Sequence, residues 1–333
     1  MAWLRRNLGA VLRFCATVAA LGWAAQASFH AWESTPMPGL AAGPMEWAVA
    51  VAVATAALVL LATVSAAGVV ALGLVPRIGI AAFTLAWYRL WFISYLYRYI
   101  PGKVVLIAER VRMGRNFGIP ATPSVLLVVW ESGLLLAGAA VFSAIGYAGV
   151  PLPADAPLSQ AQVIGGAVLA LVGLLLFPYE LRWAALRFPW LAQRLPGRVL
   201  DVPMLAQLGL VLGNAVCWGL LGLCFAQTAA LFDNGMELPV RSLAVWYVVS
   251  YVVGQVSSVT PAGLGVREAV LVATLADVAA PPVVLAWAVA NRLLLAGVEH
   301  VLQMLSLAVP LPSGVADPEP VDPSPALRPG TMP

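Results

Sequence analysis

From Trp47 to Pro76 the chain runs thirty residues without a single charged side chain, and Phe14–Trp32 and Val202–Phe232 are similar runs. Roughly 20 consecutive apolar residues are enough to cross a ~30 Å hydrocarbon layer. Such runs fit the interior of a lipid bilayer far better than that of a water-soluble domain. Composition agrees: 62% of the 333 residues are hydrophobic and 10% are charged, whereas soluble domains carry about 25% charged residues. The sequence therefore predicts an all-α polytopic membrane protein and excludes a water-soluble enzyme.

Pro, Gly and charged residues divide the chain into eight candidate spans, at 14–32, 46–75, 78–97, 122–149, 161–179, 204–231, 240–259 and 283–309. Two further stretches, 99–116 and 260–281, are moderately apolar but contain Pro, Gly and charge, and are expected to be short, broken or re-entrant segments. Basic residues fix the sides, because short cytoplasmic loops are enriched in Lys and Arg. Arg5, Arg6 and Arg13 precede the first span, and Arg182, Arg187, Arg194 and Arg198 follow the fifth, while 33–46, 150–160 and 232–239 have no Lys or Arg. Both termini are expected to be cytoplasmic in a bacterial-type inner membrane. The first apolar run is longer than the core of a secretory signal and lacks a good cleavage context.

The two halves resemble each other. Trp87-Tyr88 precedes Ile100-Pro101-Gly102 as Trp246-Tyr247 precedes Thr260-Pro261-Ala262, and Gly118–Pro123 matches Val278–Pro282, at an offset close to 160 residues. The whole of 1–309 then reads as one transmembrane domain with repeats at 1–150 and 160–309. Five segments per repeat would insert the second half upside down, the inverted-repeat plan of many secondary transporters. The proline-rich, acidic tail 310–333 is expected to be disordered.

Ionisable groups at membrane depth are costly and usually face a cavity or a partner. Arg89, Glu131, Arg292 and Glu299 lie within spans, and Arg292, Glu299 and Gln303 recur on one helix face. The first broken segment carries Arg98, Pro101, Gly102, Lys103, Glu109 and Arg110, and Lys103 is the only lysine. Pro101 cannot continue a helix and Gly102 permits a turn, so a short helix starting near 103 would offer its amides and Lys103 to an anion. Pro261, Gly263, Gly265, Arg267 and Glu268 repeat the device. The plainer readings are headgroup snorkelling for the basic residues near helix ends and a structural ion pair for Arg267-Glu268. Adjacent residues on a helix do not face each other, however, so Arg267 and Glu268 are expected to have separate partners. Arg292 could pair with Glu131 or with Glu299. The aromatic set Trp87, Tyr88, Trp91, Phe92, Tyr95, Tyr97 and Tyr99 reads as an interfacial belt.

Other classes find little support. A net charge of +3 without a basic block does not suit nucleic acid. Cys15, Cys217 and Cys224 sit in apolar runs as small core residues. Two histidines, and no zinc-protease, nucleophile-elbow or nucleotide-loop motif, leave neither a metal nor a cofactor to expect.

At Pro101-Gly102-Lys103, and again at Pro261-Ala-Gly-Leu-Gly-Val-Arg-Glu268, the chain resembles the flippase-like family. This is the transmembrane region of lysylphosphatidylglycerol synthase, also known as multiple peptide resistance factor. Ala262 replaces one glycine of the family pattern. The resemblance implies lipid handling, with a phospholipid or lipid-linked substrate. It does not imply synthase activity, since only the proline-rich tail follows the last span. The site expected to bind substrate comprises Arg98, Lys103, Glu109, Arg110, Glu131, Arg267, Glu268, Arg292 and Glu299, with Pro101, Gly102, Pro261, Gly263 and Gly265 as backbone breaks. The alternatives are a membrane-embedded glycosyl or aminoacyl transferase subunit acting on a lipid or polyprenyl phosphate, and a partner that recruits a separate lipid-synthesis enzyme.

Overall fold

The computed structural model describes residues 42–74, 80–97, 104–147, 160–188, 202–232, 238–256 and 263–310. The expected first span at 14–32, the tail beyond 310, and Arg98, Pro101, Gly102, Lys103 and Pro261 lie outside these residues. Among the described residues there are helices and no strand: α1 (Pro44–Ala71), α2 (Ile80–Leu96), α3 (Val104–Gly114), α4 (Ala121–Tyr147), α5 (Gln160–Arg187), α6 (Met204–Ala230), α7 (Val240–Val256), α8 (Val266–Thr274) and α9 (Pro281–Ser306). Prolines set several of the starts. Pro44 and Pro281 occupy the first turn, where a missing amide hydrogen costs nothing. After α3 a 3₁₀ turn, Arg115–Phe117, ends at Gly118 in a left-handed conformation, and the chain reverses into α4.

Helices α1, α4, α6 and α9 are long and apolar enough to cross a membrane. Helices α2 and α7 have 17 residues each, about 25 Å at 1.5 Å per residue, and are therefore shorter. Helix α5 runs past its expected end at 179, through Pro178, to Arg187.

The order of elements repeats. Pro44 and Met204, Ile80 and Val240, and Ala121 and Pro281 begin equivalent helices 160 residues apart, and the lengths pair as 28 with 27, 17 with 17, 11 with 9 and 27 with 26. The contacts repeat too. Exchanging α1–α4 with α6–α9 maps α1 against α2 onto α6 against α7, α3 against α4 onto α8 against α9, and α4 against α6 onto α9 against α1; α1 against α6 maps onto itself. Helix α5 stands outside this exchange and packs chiefly on α4. The boundaries place Trp87 level with Tyr247, one residue away from the register that the Trp-Tyr pairs suggest.

Small residues let the long helices close. A Cβ on Gly138 of α4 would fall 2.5–2.9 Å from Asn214 and Ala215 of α6, and one on Gly222 of α6 would fall 2.8–2.9 Å from Ala244 of α7. Backbones thus touch where side chains would hold them apart. Two arginines tie the units together. Arg241 of α7 donates to the carbonyls of Gly146 and Ile145 at the end of α4, at 3.1 and 3.2 Å. Arg89 of α2 donates at 2.6 Å to the Val309 carbonyl just past α9. Both satisfy carbonyls that a helix C-terminus leaves without partners.

The aromatic cluster is not an interfacial belt at its centre. Trp87, Trp91 and Phe92 are buried; Trp87 packs on Phe83 and Phe117, and Trp91 on Phe92 and Tyr95. These rings face inward because α2 is held between α1, α3 and α9.

Candidate functional site

The charged residues singled out in the sequence separate into three places. The first is a closed network beneath α3. Arg110, 4% exposed, donates through Nη1 to Glu131 at 3.2 Å and through Nε to Ser94 at 2.5 Å. Ser65 donates to the same carboxylate, and Trp87 donates to Ser65 at 2.9 Å. The guanidinium also lies 5.6 Å from the centroid of Trp87. Each charge is matched and hydrogen-bonded, as a buried ion pair requires, and the group joins α1, α2, α3 and α4. The second place is one residue round the same helix, where Glu109 pairs with the exposed Arg112 at 2.5 Å. Glu109 and Arg110 therefore serve different neighbours.

The third place is a narrow cleft, partly open to the outside. It lies between the two units. Leu58 and Leu61 of α1 and Tyr95 of α2 form one wall; Leu221 of α6 with Tyr247, Ser250 and Tyr251 of α7 form another. Arg267 and Glu268 enter from α8, and α9 supplies Asn291, Arg292, Leu295 and Glu299. Four of the nine expected substrate-binding residues thus come together here. Arg98 and Lys103 fall outside the described residues.

The local sequence of α8 explains the placement. Gly263 and Gly265 have φ of +70° and +82°, a left-handed region that other residues enter only at a cost. Gly263 is also in contact with Gly254 of α7, whose backbone lies 2.8–2.9 Å from where a Cβ would be. This double glycine contact brings the start of α8 against the end of α7. Gly265 precedes the first turn, and its amide donates to Oε2 of Glu268 at 2.8 Å, so the carboxylate stands at the positive end of the short helix. Oε1 of Glu268 pairs with Nη1 of Arg292 at 3.1 Å. Arg292 thus has as a partner Glu268, which is neither of the two residues the sequence offers, Glu131 and Glu299.

Arg267 is arranged differently. Its guanidinium carbon sits 3.4 Å from the ring centroid of Tyr251, Tyr251 meets Trp218 edge to face, and Trp218 donates to the Leu135 carbonyl at 2.8 Å. The ring stack fixes the arginine through α7 and α6 to α4. No carboxylate among the described residues pairs with Arg267, and its buried Nε has no hydrogen-bond partner. A cation held on an aromatic face without a counterion suits an incoming anion. Glu299, 3% exposed, lines the same cleft two turns along the same face of α9 as Arg292.

Sequence reading missed Tyr251, Tyr247 and Asn291. Their signals were present: Tyr247 and Tyr251 lie four residues apart on one face of α7, level with Trp87 and Trp91 of α2, and Asn291 is level with Glu131. Asn291 accepts from Thr228 at 3.2 Å and Cys224 at 3.5 Å on α6, much as Glu131 accepts from Ser65 on α1. Comparison of the chain with family models, with curated proteins and with solved structures finds no match.

Proposed function

We propose that this protein moves a phospholipid or lipid-linked headgroup between the leaflets of a bacterial-type inner membrane. The observation that carries the reading is Arg267, a cation without a carboxylate partner among the described residues, stacked on Tyr251 in a cleft between two repeated units. A lipid phosphate would exchange its water for Arg267, and the leucines of α1, α6 and α9 would cover the apolar part of the molecule. Glu268 and Arg292 hold the short helix in place, and Glu299 balances charge or meets a cationic headgroup. Arg98 and Lys103 join the phosphate site on the strength of the sequence resemblance.

The repeated helices, with the span expected at 14–32, support eight crossings and two short segments. With each short segment also returning across the membrane, each unit makes five passages, an odd number that inverts the repeat and puts both termini in the cytoplasm. Binding at the interface of two such units is the arrangement that lets one unit rock against the other around a fixed site.

The test is leaflet exchange in liposomes containing purified protein and headgroup-labelled phospholipids. Wild type should exceed protein-free liposomes for a subset of headgroups. Arg267→Ala should lose most of that excess, while remaining monodisperse and as thermally stable as wild type. Exchange at the protein-free rate for every lipid, from folded wild-type protein, would end this reading.

A further inference from the structure

Helix α4 has a neighbour that its counterpart lacks. Its other contacts, with α1, α3, α6 and α7, all have equivalents at α9, in α6, α8, α1 and α2. Only the contact with α5 has none among the described residues. The exposed surface reflects this. On α9, Leu293 and Val301 are 68% and 58% exposed, and a Cβ on Gly297 between them would meet nothing within 4 Å. Together with Val289 and Leu305, 42% and 65% exposed, they form an apolar ridge at four-residue spacing, open along its length. On α4 the residues level with Leu293, Gly297 and Val301 are Gly133, Ala137 and Val141. Ala137 is fully buried and the other two are partly covered.

We infer that the ridge Val289–Leu305 of α9 is the docking surface for the chain's own segment Phe14–Trp32. Three facts select this occupant. At the 160-residue offset that relates the other helices, Gly173–Arg187 of α5 falls level with residues 13–27, so most of the run Phe14–Trp32 is the element that the repeat places there. That run has 19 residues without charge, about 28 Å if helical, which matches the ridge. It also precedes α1 by 11 residues, 33–43, as α5 precedes α6 by 16, 188–203. The gap at Gly297 offers the close approach that helices in lipid use where side-chain burial alone drives no association. With both termini on one side of the membrane, the segment runs antiparallel to α9 and brings Cys15 to the end near Met304 and Leu305.

The native Cys15 makes a direct test, since Cys217 and Cys224 are buried in α6. Single Cys substitutions at Val289, Met304 and Leu305 in the full-length protein are oxidised in membranes, and disulfide-linked peptides are identified by mass spectrometry. Met304→Cys or Leu305→Cys should link to Cys15 within one chain, several-fold more than Val289→Cys, and Cys15→Ala should abolish the link. A link between two chains would assign the ridge to a second copy. Absence of any link, with the Met304→Cys thiol open to a lipid-soluble maleimide, would assign it to lipid. Either result overturns the inference.

Discussion

Among single residues, the decisive distinction is between charges paired with one another and Arg267, whose buried Nε has no hydrogen-bond partner among the described residues. Arg110 and Glu131 are expected among the substrate ligands because both stand in apolar surroundings; the structure pairs them with each other and with Ser65, Ser94 and Trp87. The sequence exposes the cost of each charge and not its partner, since pairing depends on how α3 and α4 cross. Glu131→Leu or Arg110→Met alone should destabilise the protein by about 3–5 kcal/mol, because each strands a buried charge, while the double substitution should recover most of the loss. Thermal unfolding in detergent measures this; singles no worse than the double would refute the closed network. At the cleft, Tyr251→Phe keeps the ring beneath Arg267 and should preserve headgroup binding. Tyr251→Leu removes an attraction of about 0.5–2 kcal/mol, so affinity for a phosphate-bearing lipid should fall roughly two- to thirty-fold. Equal affinities for the two variants would show that the ring contributes nothing.

At the scale of elements, the short helix α8 shows what a motif reveals and what it hides. Pro, Gly and charge in 260–268 announced a break before a new helix, and the break is there. Why two glycines are needed was hidden, because Gly263 acts through Gly254, nine residues earlier in the chain and on another helix. Gly265 needs only its left-handed φ and has open space around it. The two should therefore differ on substitution. Gly265→Ala should cost about 1–2 kcal/mol from backbone strain alone. Gly263→Ala adds a collision with the Gly254 backbone and should be clearly worse, driving α8 off α7 and freeing Arg267 from Tyr251. Unfolding temperatures of the two variants check the order; a Gly263→Ala protein as stable as Gly265→Ala would contradict it.

For the whole molecule, the 160-residue repeat was legible because long apolar helices and the residues that punctuate them survive in composition. The cleft was not legible, because it arises where the repeat is broken. Helix α4 lies against α6 over a longer contact than α9 makes with α1, and equivalent positions differ in size. Gly138 lets α4 touch the backbone of α6 at Asn214 and Ala215, whereas the position 160 residues on from Gly138, in α9, is the buried Val298. A valine in place of glycine holds the second pair of helices apart, and the space beside Leu58, Leu61 and Leu295 is the cleft. Shortening that spacer should narrow it. In a protein carrying Leu295→Cys as a reporter, Val298→Ala should slow labelling by a water-soluble thiol reagent, and Val298→Gly should slow it further despite a helix penalty of about 1 kcal/mol. Gly138→Val should instead destabilise the fold, since the backbone opposite leaves no room. Faster labelling in Val298→Ala would mean that the missing methyls leave a larger opening and that some other feature holds α9 away from α1.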